Sequence, residues 1–227
     1  METIEQAIAL WLRVIKGESA GHPFRGNQWT EVGNITKEVA TFLATNSNKF
    51  YKAGGTTKTY EGPTDEISES TIKGIGDKAR ELESKLGETT NPQEQEQIRR
   101  LAMGYSRMES ALTDIAAGQP GIVAYDKSGE IASAITLSNN RTLQTGRPYV
   151  KVVELGSTNK SPGAATALEI EAARYVANKG VFLWSNYTGN SKGYHELIGR
   201  TINGSWPGSS EWTAEECKAI AQLSPNN

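Results

Sequence analysis

The sequence predicts an α/β protein, a mixed sheet with flanking helices, preceded by a helical N-terminal region. Two observations carry that expectation. From residue 121 onward, short apolar runs and helical patterns follow in the order β-β-β-α-β-α, which is the grammar of a sheet whose later strands are joined through a helix. Before residue 117 the apolar residues recur at helical spacing, between Gly-rich or polar breaks. At 227 residues the chain suits one domain with an appendage or two small domains, and it shows no internal repeat.

The first element, "METIEQAIALWLRVIKGES", sets Ile4, Ile8, Trp11, Leu12 and Ile15 on one helical face and ends near Gly17. Glu2 and Glu5 stand where a signal peptide would be basic, and no apolar run reaches membrane-spanning length, so a soluble cytoplasmic protein with no membrane partner is expected. A second helix, about 35–52, carries Ile35, Val39, Phe42 and Leu43. "KAGGTTKTYEGPT" then reads as a linker or exposed loop. A third helix, about 65–86, has the stripe Ile67, Ile72, Ile75, Ala79, Leu82 and Leu86. The fourth is signalled at both ends, by Asn91 as cap, Pro92 at the first helical position and Gly118 as stop. Ile98, Leu101, Tyr105, Met108, Leu112 and Ile115 form its buried face.

"GIVAYDKSGEIASAITLS" reads as two strands around a Lys127-Ser128-Gly129 turn, and "RPYVKVVELGS" as a third strand. A helix over 162–179, a strand at 181–185 and a helix over about 191–201 follow. "SWPGSSEW" reads as a loop. Thr213 and Glu216 form a capping box for the last helix. The expected division is a helical region 1–90, an α/β domain 91–207 and a C-terminal helix 208–227.

Composition narrows the function classes. Lys and Arg number 24 against 26 Asp and Glu, giving a formal net charge of −2, so no basic excess marks nucleic acid as a partner. One cysteine and two histidines exclude an intramolecular disulfide and a cysteine-based metal cluster, and no metal site is expected.

The start of the 162–179 helix is unusually small. Ser161 suits the N-cap and Pro162 the first turn, and Gly163, Ala164 and Ala165 carry nothing beyond a methyl. Close packing on a neighbour would explain this. So would an anion drawn to the unpaired N–H groups and the positive end of the helix dipole, with Lys160 beside it. Here the run Lys160-Ser161-Pro162-Gly163-Ala164-Ala165 resembles the Gln/Arg-x-x-Gly-x-Gly/Ala signature of the GNAT (Gcn5-related) N-acyltransferases. "GYHELIGR" is similar to their Phe-Tyr-x-x-x-Gly motif, with Tyr194, His195 and Gly199 in the three named places. The resemblance spans roughly residues 95–202.

What it implies is a GNAT-like mixed sheet and the transfer of an acetyl group from acetyl-CoA, the co-substrate, to an amine of a small molecule or protein. The helix N-terminus would hold the pyrophosphate, through Lys160, Ser161, Gly163, Ala164 and Ala165. Glu154, Leu155, Gly156 and Ser157 would run along the pantetheine arm, with Gly156 as a strand-splaying bulge and an N–H there facing the oxyanion. Glu154 would be the base and His195 the general acid, with Asn186, Ser191 and Tyr194 also toward the cofactor. Trp184 and Tyr187 belong to the core or the cleft wall. The sequence departs from the family at Lys160, where Gln or Arg is usual, and at His195, where Tyr is usual. The family's last two strands are hard to find after residue 202.

"GESAGHPFRGNQWT" at 17–30 resembles a string that recurs in tailed-bacteriophage proteins. That leaves three readings: a phage acyltransferase, a non-catalytic virion-associated or regulatory protein of the same fold, and a phage enzyme that modifies DNA bases. The N-terminal helical stripes need covering, by the core, a second copy or a phage protein.

Overall fold

The computed structural model describes residues 30–138, 141–143, 146–158, 160–187, 191–204 and 208–223. The first expected helix, and all of the phage-like string except Thr30, lie outside these residues. Helices α1 (Lys37–Lys52), α2 (Glu69–Leu86), α3 (Pro92–Ala116), α4 (Ala164–Ala177), α5 (Lys192–Leu197) and α6 (Ala214–Ala221) flank one sheet. Its strands are β1 (Thr56–Tyr60), β2 (Gly121–Tyr125), β3 (Ile131–Leu137), β4 (Arg141–Thr142), β5 (Pro148–Ser157), β6 (Phe182–Tyr187), β7 (Thr201–Asn203) and β8 (Gly208–Trp212). The order across the sheet is β1-β2-β3-β5-β6-β8-β7, with β4 also pairing β5. Every neighbouring pair is antiparallel except β5 and β6. The expected class, an open mixed α/β sheet with flanking helices, is what the chain forms.

Local chemistry starts the helices. The Asn91 side chain accepts from the N–H groups of Gln93 and Glu94, ahead of Pro92, which needs no N–H partner. Thr36 caps α1 by accepting from Val39 N–H, and the Thr213–Glu216 capping box is complete. Glu216 also accepts from Asn34 N–H at 2.8 Å, tying the last helix to the segment before α1.

Burial on both faces makes two cores. Ile122, Ala124, Ile135, Val150, Leu183 and Trp212 face α1, α4 and α6. Tyr60, Val123 and Ala134 face α2 and α3. Successive residues of β2 thus serve opposite cores, as the period-2 geometry of a strand requires.

Several expectations need correction. The supposed linker at 53–63 contains β1, paired with β2 from Thr56 opposite Tyr125 to Tyr60 opposite Gly121. Residue 90 is therefore no boundary, since β1 belongs to the same sheet and α2 and α3 cover one face of it. "SWPGSSEW" is not a loop over its last five residues: β8 pairs β6 and β7 there, so two strands do follow residue 200. Helix α4 starts at Ala164, not 162, and its cap is Gly163 at φ 85° rather than Ser161. Among the described residues, no helix is long and apolar enough to cross a membrane, and no group of three or more His, Cys, Asp or Glu is placed to hold a metal ion.

Candidate active-site cleft

The one parallel pair creates the cleft. β5 and β6 are in register from Tyr149 opposite Phe182 to Val152 opposite Ser185, and then they part. β5 continues to Ser157 along β3, while β6 continues to Tyr187 along β8. The divergence has a local cause: Thr136 faces Glu154 but Leu137 faces Val152, so Val153 is an extra residue on β5. Such a bulge bends and twists its strand. The bulge is thus at Val153, not at Gly156, which sits in register opposite Ala134.

Gly156 has another task. A Cβ there would stand 2.6 Å from the Gly104 carbonyl oxygen and overlap the Met108 backbone, and one on Gly104 would overlap Ser157 O. Two glycines therefore bring α3 into backbone contact with β5. The same holds at Gly163, where a Cβ would overlap the Asn46 carbonyl of α1. Close packing and a left-handed φ account for this glycine. The rest of the first turn is more open: Pro162 is exposed and Ala165 half-buried, although Ala164 is buried. Ser161 O accepts the Ala164 N–H at 3.2 Å. The N–H groups of Ala165 and Thr166 fall in the turn that has no intrahelical acceptor.

The gap opens into a cleft of about 590 Å³, lined among others by Glu154, Leu155, Asn186, Ser191, Tyr194 and His195. These six were expected at the site, and the fold brings them together from β5, β6 and α5. Gly156 and Ser157 lie just beyond, under α3. Lys160 and Ser161 instead line a second cavity of about 430 Å³, with Thr158, Tyr105, Glu66 and Asp126.

Electrostatics separate the two expected catalytic groups. Glu154 is half-buried, and that burial raises its carboxyl above the usual range. Arg107 pulls it down and Asp114 pushes it up by smaller amounts. A raised carboxylate binds protons more strongly, as a base should. His195 is buried, its Nδ1 2.8 Å from Ser210 Oγ, between the rings of Tyr187 and Tyr194. Burial first, and then Arg200, lower its pKa to about 4. The resting imidazole is therefore neutral at pH 7, which disfavours the acid role expected of it. The Tyr194 hydroxyl is also enclosed, and burial raises its pKa.

Beneath the cleft Arg200 Nη2 donates to Glu169 Oε2 at 2.6 Å, with the two side chains 0% and 2% exposed. The guanidinium also stacks over Trp212, 4.3 Å from the ring centroid. Glu169 and Arg107 line the cleft, yet sequence reasoning missed both. Glu169 had a visible signal, since a carboxylate between Leu168 and Ile170 on a buried helix stripe demands a partner. Arg107 had none, because it follows from how α3 lies on β5.

No protein-family model matches the sequence, and neither does any curated protein. The fold is similar to those of solved acetyltransferases. One is an N-acetyltransferase of Bacillus subtilis in complex with coenzyme A (10% identity, 70% of this chain and 97% of that one, TM-score 0.41). Another is the catalytic domain of a Tetrahymena histone acetyltransferase in complex with coenzyme A (11% identity, 70% and 93%, TM-score 0.43). A third is a phosphinothricin acetyltransferase of Sinorhizobium meliloti in complex with acetyl-CoA (17% identity, 69% and 85%, TM-score 0.39).

Proposed function

We propose that the chain is a GNAT-type N-acyltransferase that moves an acetyl group from acetyl-CoA to an amine. The observation that carries this reading is the parting of β5 from β6 at the Val153 bulge. Residues 153–155 thereby present to the cleft a strand edge that no described strand pairs. An extended amide-bearing arm can lie along such an edge as another strand would. The first turn of α4 follows β5 directly and suits the phosphates at the end of that arm. Lys160 and Ser161 flank it.

Bound acetyl-CoA would supply a thioester carbon, at which a C–N bond to the amine forms and the C–S bond breaks. Glu154 takes the proton that the amine loses. His195, held neutral, keeps the α5 wall in place through Ser210, and solvent protonates the departing thiolate. The backbone N–H groups of β5 beyond Val153 stabilise negative charge on the carbonyl oxygen. The bacteriophage setting rests on the 17–30 string alone.

Isothermal titration with acetyl-CoA tests the reading, using Ala165→Glu because Ala165 is half-buried whereas Ala164 is enclosed. The wild type should bind, and the variant should lose at least about tenfold in affinity. Unchanged affinity in the variant would remove the α4 turn from the site.

A further inference from the structure

We propose that the acceptor is a free α-amino acid, its carboxylate held by Arg107 and its amine turned toward Glu154. This rests on the acyltransferase reading and names the substrate class for that cleft.

Arg107 projects from α3 into the cleft and is half-buried. Its guanidinium makes no side-chain hydrogen bond, and no ion pair within 4.0 Å, among the described residues. The other arginines of α3 differ: Arg99 and Arg100 are both paired with Glu96, at 3.1 and 2.6 Å. A half-buried guanidinium at a cleft wall leaves its planar fork of donors open to a ligand, and that fork is matched best by a carboxylate. The phosphates of the acyl donor do not account for it. The cation beside their turn is Lys160, which lines the other cavity.

The surrounding charges select the kind of anion. Glu154 feels Arg107, Asp114 of α3 and Lys151 of β5, and Lys151 is engaged over the Trp184 ring at 5.2 Å. Among the described residues the cleft therefore offers one cation without an ion-pair partner, Arg107, near Glu154, while its other carboxylate, Glu169, is already paired with Arg200. A simple amine would leave Arg107 unmatched, and a plain carboxylic acid would meet Glu154 as a like charge. An α-amino acid places its ammonium and carboxylate one carbon apart and satisfies both groups.

The experiment uses the full chain saturated with coenzyme A, titrated in turn with individual L-α-amino acids, their primary amides and the corresponding decarboxylated amines. At least one amino acid should bind, at least about tenfold tighter than its amide or amine. Arg107→Gln should erase that preference, and Arg107→Lys should keep part of it, with thermal melts confirming that both variants fold. The proposal is overturned if amides bind as tightly as acids, if no amino acid binds, or if Arg107→Gln keeps the preference. Failure of the wild type to bind coenzyme A in the preceding titration would instead defeat the acyltransferase reading itself.

Discussion

Replacing Glu169 by glutamine removes the only acidic partner within 4.0 Å of Arg200 among the described residues. The change is nearly isosteric, so packing is kept while charge balance is lost. Arg200 is fully enclosed, and its Nε and Nη1 have no protein partner among the described residues. The variant therefore leaves a buried guanidinium uncompensated, which costs about 3–5 kcal/mol. At roughly 2–4 °C per kcal/mol for a chain of this size, the melting temperature should fall by about 6–20 °C in calorimetry. The double variant Glu169→Leu with Arg200→Met removes both charges, and it should recover most of that loss. A fall below about 1 kcal/mol in Glu169→Gln, or a double variant as unstable as the sum of the singles, would refute the reasoning. The first outcome would mean that water reaches Arg200, and the second that the two side chains act through packing alone.

Acid should destabilise the fold through His195. Its folded pKa of about 4 lies below the unfolded value near 6.5, so the unfolded chain takes up the proton first. Stability then falls as pH drops from about 6.5 toward 4, by roughly 3 kcal/mol, and His195→Asn should flatten that part of a urea-denaturation series. Two glycines should respond oppositely to alanine. Gly163→Ala forces a side chain into a left-handed φ and onto the Asn46 carbonyl, losing at least about 1–3 kcal/mol. Gly74, within α2, has open space around it, so Gly74→Ala should gain about 0.5–1 kcal/mol in thermal melts.

Legibility in the sequence followed the range of the interaction. Helix α3 could be read to within a residue, because Asn91, Pro92 and Gly118 act within one turn of themselves. "TTKTY" could not be read as β1, because only Tyr60 of it is buried and an edge strand of that kind carries no apolar alternation. "GSSEW" hid β8 in a related way, since the inward-facing Ser210 is polar and is satisfied by His195. Of the residues that line the cleft, Glu154 and Asn186 were expected from their places on the strands, and Tyr194 and His195 from a motif. The protonation state of His195 was not, because it follows from its burial and from Arg200. The close packing of Gly163 was also illegible, because it involves the Asn46 carbonyl of a helix more than a hundred residues earlier.

The single parallel junction also makes this sheet two sheets sewn together. One half is β1-β2-β3-β5 and the other β6-β8-β7, and the stitching runs over four facing residue pairs, Tyr149 to Val152 against Phe182 to Ser185. Helix α4 lies beneath the stitching and packs on strands of both halves. Through Glu169 it also grips Arg200, at the entry to the second half. The cleft is thus the open end of a seam, and the buried ion pair is the clasp that stops the seam from running. Loosening of that clasp would let the halves exchange their amide hydrogens as separate cooperative units, with the division falling between β5 and β6.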